Sequence, residues 1–499
     1  MPHHPLRVLA AALCLCTLAP ARTEAQNALQ RAAHGLTYRT EAQVTASDGQ
    51  SPLWLNANRY GLSSVKDDNG YLRAGIFRRA EHDSACNWRL GYGVDLAAAY
   101  DFTSGFIVQQ LYADLDWRWL RLSVGSKERP MALKNQELSS GSQTFGINAR
   151  PIPEVRVEIP DYVSLTGKSN WLGIKGHIGY GLPTDDAWEE SYVGPQGKRA
   201  IHVIYHSKSG FLRVGNPERF PLVFEGGLEM ACMFGGTVMN FAPGQNLVMT
   251  HKLKDFWHAF TGGGSDPTDG TYLNAEGNTV GSWLFSLAWH GRDWKIRAYY
   301  DHFFEDHSMM FFEYGWKDGL IGLEATLPRN PVASTIVYEY LHTKYQAGPV
   351  YHDHTAEIPD QVSGCDNYYN HGLYTGWEHW GQAIGNPLFT SPLYNGDRSL
   401  AFTGNRFIAH HVGLSGDPLP ELHYRLLYSH MRNWGTYGNP YPDVRRDDSF
   451  LVEASYGFAH VPALNGWRVG AAFAFDRDSQ IGDNTGFQFT ISRSGLLLR

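Results

Sequence analysis

Residues 110–127 read QLYADLDWRWLRLSVGSK, and this stretch decides the fold class. If Arg118 and Trp119 form a tight turn, Trp117 faces Leu120 across a hairpin with one apolar and one polar face. The apolar face carries Leu111, Ala113, Leu115, Trp117, Leu120, Leu122 and Val124, and the polar face carries Gln110, Tyr112, Asp114, Asp116, Arg121, Ser123 and Lys127. Side chains alternate across a strand, so this pattern, with tryptophan beside a minimal turn, is typical of a membrane β-barrel.

The same alternation recurs along the chain. In residues 88–100 one face carries apolar side chains with aromatic residues near both ends. Further alternating stretches are residues 335–343, 422–431, 467–476 and 487–492. A soluble β-sandwich also alternates, but its apolar face needs no aromatic residue at each end. We therefore expect an all-β fold, a transmembrane antiparallel β-barrel.

The length of the chain bounds the number of strands. A spanning strand with its share of turns and loops takes roughly 20–30 residues, so residues 26–499 supply roughly 16–24 strands. A barrel of that width encloses a lumen rather than a packed core. Its interior is then either a channel or a space that loops and helices fill, and the strand pattern alone leaves both open.

The N-terminus predicts export. Arg7 precedes a short apolar run from residue 8 to residue 18, and Ala25 is a small residue before Gln26. We expect residues 1–25 to be a secretory signal peptide and residues 26–499 to form a barrel in the outer membrane of a Gram-negative cell. A buried N-terminal helix is the alternative interpretation of the same run.

Composition excludes several classes of protein. The net charge is −8 and the isoelectric point is near 6.3, so nucleic acid is not an expected partner. Cys86, Cys232 and Cys365 are too few and too scattered for a disulfide framework. Histidines and carboxylates cluster in residues 301–307 and 351–357, but neither group promises a complete metal shell, so we expect no metal site and no cofactor.

The sequence contains no catalytic signature that would make the protein an enzyme. It has no Gly-x-Ser-x-Gly elbow, no His-Glu-x-x-His and no phosphate-binding loop. A glycosidase needs two carboxylates at a set separation. Two pairs, Glu154 with Asp161 and Asp366 with Glu378, are formal candidates, but nothing in their spacing favours this role. We expect no enzymatic activity.

One segment departs from the strand pattern. In residues 247–260, LVMTHKLKDFWHAF, four apolar side chains follow helical spacing: Leu253, Phe256, Trp257 and Phe260. Three glycines follow after Thr261 and can end a helix. We expect a short amphipathic helix outside the wall that caps or plugs the barrel.

Four stretches carry a resemblance to a known family. They are SPLWLNANRYG (51–61), ELSSGSQTFGINARPIPEVRVEIPDYV (137–163), DHFFEDHSMMFFEYGWKDGLIGLE (301–324) and DNYYNHGLYTGWEHWGQAIGNPL (366–388). Together they resemble the Wzi family of outer-membrane capsule assembly proteins, in its Bacteroidetes-type branch. The resemblance implies about eighteen strands, short periplasmic helices and lectin-like binding of capsular polysaccharide or exopolysaccharide during its attachment to the cell surface. It leaves contact with the capsule export machinery open. A porin-like channel for a solute or oligosaccharide is the alternative.

Candidate glycan contacts concentrate in residues 366–388. Sugar rings stack on aromatic faces, and carboxylates, amides and guanidinium groups take their hydroxyls. The candidates in this tract are Asp366, Tyr368, Tyr369, Trp377, Glu378 and Trp380. Arg150 and Glu154, in the proline-fenced segment 148–165, are further candidates. An interfacial aromatic girdle and an inward-folded structural loop are the alternative interpretations of the tract.

Overall fold

The fold is known from a computed structural model. It describes residues 34–80, 87–263, 277–305, 310–312, 316–352, 361–477 and 480–498, except the side chains of 347–352 and 361–365. The expected signal peptide lies outside the described residues. Among the described helices, none is long and apolar enough to cross a membrane.

Eighteen antiparallel strands form one closed sheet in the described part of the chain. In chain order they are β1 Thr37–Asp48, β2 Asn69–Arg78, β3 Trp88–Tyr100, β4 Phe106–Trp117, β5 Leu120–Ser126, β6 Glu154–Ser164, β7 Leu172–Gly181, β8 Ile204–Val214, β9 Leu222–Phe234, β10 Asn278–His290, β11 Lys295–Glu305, β12 Gly319–Thr326, β13 Thr335–His342, β14 Phe407–Gly416, β15 Leu422–Gly435, β16 Pro440–Gly457, β17 Trp467–Arg477 and β18 Asn484–Leu496. The last strand closes the barrel against the first, with Leu496 opposite Thr37. The predicted β-barrel is confirmed.

The hairpin that decided the fold forms as predicted. Trp117 lies opposite Leu120, and Leu115 lies opposite Leu122. The outward face is apolar and exposed, as the lipid-facing side of a barrel must be. On the inward face the Arg121 guanidinium donates to Asp116, with Nε 2.6 Å from Oδ1. Opposite charges facing each other across the hairpin therefore help to fix its register.

The two ends of the barrel differ in their connections. The four longest connections are residues 127–153, 182–203, 235–277 and 343–406, and each follows an odd-numbered strand. The N-terminal end of β1 and the C-terminal end of β18 both lie at the opposite, short-turn end of the barrel. Bacterial barrels have short periplasmic turns and longer extracellular loops, so the long-loop end is the outward end.

Three α-helices lie in the described residues. They are α1 Leu53–Asn56, α2 Asp186–Val193 and α3 Leu253–Thr261. Each belongs to a connection at the long-loop end, so the periplasmic placement that the resemblance implied does not hold for these helices. Two 3-10 turns, Gly167–Ser169 and Pro462–Leu464, lie at the short-turn end.

Helix α3 is shorter than expected because its capping residues place its start at Leu253. The carboxylate of Asp255 accepts from the Lys252 backbone N–H at 2.6 Å, and Gly262 ends the helix with φ 103°. Residues 245–248 form a strand instead of the first helical turn, in a three-stranded sheet of Arg199–Ile201, Thr237–Ala242 and Gln245–Val248.

Helix α3 packs on the outer face of the wall. The ring of Phe256 lies 5.2 Å from Tyr180 and 5.3 Å from Phe234, and the ring of Phe260 lies 6.0 Å from His206. Because Tyr205 and Ser207 line a lumenal cavity, alternation turns His206 outward. The apolar side of α3 therefore covers an outward-facing histidine.

The proline-fenced segment is a wall strand that begins directly after an inward loop. Val155 and Val157 are exposed outward, whereas Glu154 and Glu158 are buried. The ladder between β6 and β7 shifts register between Ile159 and Val163, across Pro160. A bulge leaves a residue unpaired, so a proline is tolerated there without the loss of a ladder hydrogen bond.

Loops from the outward end fold back into the lumen and form what we call the plug, residues 51–68, 130–152 and 366–406. Its side chains share one core with inward-facing strand residues. Three contacts show how the plug is held to the wall: the Leu53 N–H donates to Asp476 at 3.0 Å, the Ser140 N–H donates to Glu339 at 2.7 Å, and the His411 ring contacts the Leu138 carbonyl at 2.8 Å. The plug consists mainly of loops, and α3 takes no part in it.

Candidate functional site

Three of the predicted glycan contacts lie inside the plug. Tyr368, Tyr369 and Trp377 are each 0% exposed. The ring of Tyr369 stacks on Phe389 at 4.0 Å between centroids, and Trp377 stacks near Tyr205 at 6.0 Å. A fully buried ring presents no face to a sugar, so the expectation that these three stack on a glycan does not agree with their position. They pack the core instead.

The polar atoms of this buried tract are also used within the plug. The Tyr369 hydroxyl donates to the Gln143 carbonyl and accepts from the Asn386 N–H at 3.0 Å. The Trp377 indole donates to the Thr144 carbonyl at 3.2 Å. These bonds join residues 366–388 to residues 130–152, which makes the tract an inward-folded structural loop at these positions.

Two other candidates, Arg150 and Trp380, are in direct contact. The Arg150 guanidinium lies 4.4 Å from the centroid of the Trp380 ring, and it donates to Thr103 Oγ1 at 2.6 Å. The Trp380 indole donates to Thr184 Oγ1 at 3.1 Å. Burial lowers the pKa of Arg150 to about 10. Arg150 therefore holds the Trp380 ring from one side, in a cation–π contact.

Glu154 and Asp366 lie apart from this pair. Glu154 is buried on the lumen side, where it accepts from the Ser207 hydroxyl and lies 3.7 Å from Arg129. It lines a cavity of about 350 Å³ under the plug. Asp366 is half-buried, and its backbone N–H donates to the Gln346 carbonyl at 3.2 Å. Neither side chain joins the Arg150–Trp380 contact.

Helix α2 brings two more aromatic rings beside Trp380. Trp188 stacks on Tyr192 at 4.9 Å, and its ring lies 6.1 Å from that of Trp380. All three are partly exposed at the long-loop end. We call Trp188, Tyr192 and Trp380 the aromatic ledge. Sequence reasoning missed α2, although the i, i+4 spacing of Trp188 and Tyr192 in DDAWEESYV is a helical signal.

A pocket of about 300 Å³ adjoins the ledge, and we call it the loop pocket. It is lined by Val193, Gly197, Lys198, Asn370, His371, Tyr374, Thr375, Gly376, Asp397, Arg398, Ser399, Leu400 and Ala401. Val193, which follows Tyr192 at the end of α2, lines this pocket, so the ledge lies beside it. Burial, followed by the charge of Asp397, raises the pKa of Tyr192 to about 12. Residues 366–388 thus contribute Asn370, His371 and Tyr374 to an outward pocket, in place of the rings predicted from sequence.

His371 is half-buried in the wall of the loop pocket. Its Nδ1 accepts from the backbone N–H groups of Leu373 at 3.0 Å and Tyr374 at 3.2 Å. Burial lowers the pKa of His371 to about 4, and the nearby Lys198 adds to the effect. The Lys198 ammonium donates to the Gly372 carbonyl. At neutral pH the histidine is therefore uncharged and fixes the turn at the pocket wall.

Three carboxylates meet beneath the ledge. Asp185, Glu189 and Glu378 are each 3% exposed, and one oxygen of each lies within 4.8 Å of the others. Burial raises the pKa of both glutamates, and repulsion from the neighbouring carboxylates adds to the effect. Glu378, which the sequence predicted as a glycan contact, thus belongs to a buried acidic cluster and is not exposed to solvent.

The fold and the loop asymmetry define an outer-membrane β-barrel. No protein-family model and no curated protein matches the chain. Among solved structures, the chain is similar to Wzi of Escherichia coli, described as a carbohydrate-binding β-barrel involved in group 1 capsule assembly, with 13% identity, 97% of this chain and 91% of that chain covered, and a TM-score of 0.55.

Two further solved structures are less similar. OccK5 of Pseudomonas aeruginosa has 11% identity over 92% of this chain and 97% of its own, with a TM-score of 0.47. OccAB4 of Acinetobacter baumannii has 10% identity over 93% and 99%, with a TM-score of 0.45. At 13% identity, the similarity to Wzi shows the barrel fold alone.

Proposed function

We propose that this barrel binds a capsular polysaccharide or exopolysaccharide at its long-loop end and assists the attachment of that glycan to the cell surface. The observation that carries the proposal is the aromatic ledge beside the loop pocket, above a lumen that the plug occupies. The Wzi barrel, which is similar in fold, is described as carbohydrate-binding and as part of capsule assembly. The proposal assigns the same class of ligand and role to this chain.

The side chains at this end match the chemistry of a sugar chain. The C–H face of a sugar ring stacks on indole or phenol rings, and the ledge offers Trp188, Tyr192 and Trp380. Hydroxyls of the next sugar unit along the glycan then reach the carboxylate of Asp397 and the guanidinium of Arg398, both exposed at the pocket rim. Ledge and pocket together suit an extended chain, because successive sugar units contact both.

In this proposal the residues predicted from sequence as glycan contacts take different roles. Trp380 contacts the glycan, and Arg150 is a positioning residue because it holds the Trp380 ring. Tyr368, Tyr369 and Trp377 support the site from beneath as core residues. The proposed activity is binding without chemistry on the glycan.

Surface retention of polysaccharide tests the proposed function. Cells of the native host that lack the protein are complemented with the wild type, with Trp380→Ala or with Trp119→Ala. Trp119 is the matched control, because its ring is 48% exposed in the short turn at the other end of the barrel. We expect the wild type and Trp119→Ala to keep polysaccharide on the cell, and Trp380→Ala to release more of it into the medium. Equal retention in all three strains would reject the site.

A solute channel is the second candidate function. Two charged lumenal cavities, of about 350 and 320 Å³, share Tyr60 and Glu128 in their linings. A continuous path between them would favour transport. Single-channel recording in a planar bilayer separates the candidates: a stable open conductance comparable to that of a porin supports the channel, and a barrel that conducts rarely or not at all supports the filled lumen.

A further inference from the structure

We propose that Asp185, Glu189 and Glu378 bind a divalent cation, with Ca²⁺ as the matched ion. Each residue offers one carboxylate oxygen, and the three oxygens lie within 4.8 Å of one another. Ca²⁺ takes oxygen ligands at about 2.3–2.6 Å, so two ligands on opposite sides of the ion are about 5 Å apart. One ion can therefore contact all three carboxylates.

Orphaned oxygens inside the cluster are the second observation that points to a cation. Asp185, Glu189 and Glu378 are each only 3% exposed. Glu189 Oε2 and Glu378 Oε1 are buried and accept no hydrogen bond from the described residues. A buried carboxylate oxygen without a donor is strongly destabilising unless a cation neutralises it. The cluster holds two such atoms, Glu189 Oε2 and Glu378 Oε1.

The neighbouring positive groups are engaged elsewhere. The Arg150 guanidinium lies over the Trp380 ring and donates to Thr103, and Arg199 pairs with Glu190 at 2.9 Å. Among the described residues, no lysine or arginine nitrogen lies within 4.0 Å of a carboxylate oxygen of the cluster. Arginine therefore does not neutralise the cluster by direct contact.

The histidine beside the cluster does not supply the missing charge either. His379 Nε2 lies 3.8 Å from Asp185, but it also accepts from the Thr184 backbone N–H at 3.1 Å. Its Nδ1 contacts the Arg150 carbonyl at 2.8 Å, so Nδ1 carries the proton and donates it. With one nitrogen donating and the other accepting, the ring is neutral in this arrangement.

The ligand chemistry favours calcium over other divalent metals. Zinc sites use cysteine and histidine as well as carboxylates, whereas this cluster offers only oxygen. Magnesium requires shorter bonds of about 2.0–2.1 Å and usually keeps most of its water. The cluster lies between α2 and a short hairpin at the outward end, and calcium sites of extracellular modules bind in the range of about 10⁻⁴–10⁻³ M.

A bound cation would connect the two elements that carry the ledge. Asp185 and Glu189 belong to the start of α2, and Glu378 belongs to the short hairpin of Glu378–His379 with Gln382–Ala383. The Trp380 N–H already donates to Asp185 at 2.6 Å across the same junction. The role of the ion in holding the ledge rests on the proposed function, whereas binding of the ion does not.

Terbium luminescence tests the site directly, without any glycan. Tb³⁺ occupies calcium sites, and excitation of the nearby Trp188 and Trp380 sensitises its emission. The purified, folded barrel is titrated with Tb³⁺ and then with Ca²⁺. We expect saturable emission that Ca²⁺ displaces, and at least a tenfold weaker affinity in Glu189→Gln and Glu378→Gln. Glu190→Gln is the matched control, since its side chain is 61% exposed on the same helix and outside the cluster.

The outcomes separate cation binding from its alternative, a proton held among the carboxylates. Wild-type protein without saturable, Ca²⁺-displaced emission would overturn the site, and so would folded glutamine variants that bind like the wild type. If one variant does not fold, as judged by its gel shift on heating, the other decides. If neither folds, isothermal titration of the wild type with Ca²⁺ decides: one site per chain supports the proposal, and no binding heat overturns it.

Discussion

The aromatic residues of a single tract, residues 366–388, divide between two environments. Tyr369 and Trp377 are fully buried in the plug, while Trp380 is partly exposed beside Arg150. The composition of the tract predicted a concentration of sugar-binding side chains. It could not separate inward from outward rings, because a non-alternating loop has no periodicity that fixes the direction of each side chain.

At the scale of one residue, we predict that Tyr369→Phe destabilises the plug. The variant keeps the ring but removes the hydroxyl that donates to Gln143 and accepts from Asn386, so two buried backbone groups lose a partner. The expected cost is about 1–3 kcal/mol. Limited proteolysis of the folded barrel should cut residues 130–152 faster than in the wild type.

Tyr424→Phe is the control for that experiment. The Tyr424 hydroxyl donates to the Val332 carbonyl at an exposed site near the short-turn end. Solvent replaces the lost bond there, so proteolysis should stay at the wild-type rate. Equal sensitivity of the two variants would show that the Tyr369 hydroxyl does not hold the plug.

The loop pocket should open as the pH falls, and His371 gives the reason. Its folded-state pKa of about 4 lies below the ordinary value of about 6.5, so the ring is neutral when the loop is closed. The opened loop takes up the proton first, and the stability of the closed loop is therefore complete above pH 6.5 and is lost as the pH falls toward 4.

Hydrogen exchange of residues 366–376, corrected for the intrinsic effect of pH on exchange, measures this dependence. We expect lower protection at pH 5 than at pH 7 in the wild type, because protonation of Nδ1 breaks its contacts to Leu373 and Tyr374. His371→Gln should lack this pH dependence. A wild-type loop with equal protection at both values would contradict the assignment.

At the scale of elements, the strands were predictable and their loops were not. A period of two is imposed by the strand backbone, and the membrane requires one apolar face, so residues 110–127 indicated both the hairpin and its turn. The inward loops that form the plug obey no such rule, since their side chains pack against one another and against the inner face of the wall. Helix α2 was missed for a related reason: it is short, and its aromatic side chains form the ledge rather than a core-facing stripe.

Neighbouring residues of β18 test the assignment of faces. Phe489 is 43% exposed on the outward face, whereas Thr490 lines the lumenal cavity of about 320 Å³. We predict that Phe489→Arg impairs assembly, at about 2–4 kcal/mol near the bilayer midplane. Thr490→Arg should be much milder, because its charge meets water. The folding yield of each variant into lipid vesicles measures these effects. Equal losses in the two variants would show that the outward and inward faces of β18 are wrongly assigned.

Helix α3 should touch lipid. Leu253 and Trp257 are 89% and 64% exposed, and the helix lies on the outer face of the wall. Amphipathic helices of this kind bury their free apolar side chains at the membrane interface. We predict that a fluorophore at Leu253→Cys, with the other cysteines replaced by serine, is quenched by nitroxide-labelled lipid.

A fluorophore at Asp397→Cys is the matched control for α3. Asp397 is exposed at the rim of the loop pocket, at the same end of the barrel. Quenching at residue 253 and little quenching at residue 397 would agree with the position of α3. Equal quenching at both would show that the helix has no special contact with the bilayer.

At the scale of the whole molecule, barrel and plug have separate roles. The closed ladder needs no interior packing for its hydrogen bonds, so the lumen is free to hold loops. Those loops fill it with a shared core and carry the ledge and the loop pocket at the outward end. The strand number near eighteen followed from the resemblance and narrowed the range that length allowed. Neither the resemblance nor the length of the chain predicted which residues form the aromatic ledge.

Binding of purified host polysaccharide to the folded, detergent-solubilised barrel tests the central claim most directly. Wild type, Trp188→Ala with Trp380→Ala, and the Trp119→Ala control are titrated under the same conditions. Stacking of an aromatic ring is worth about 1–3 kcal/mol, an estimate from flat bases, so the double variant should bind at least tenfold more weakly and the control should match the wild type. Wild-type affinity in the double variant, or no binding by the wild type, would contradict the account.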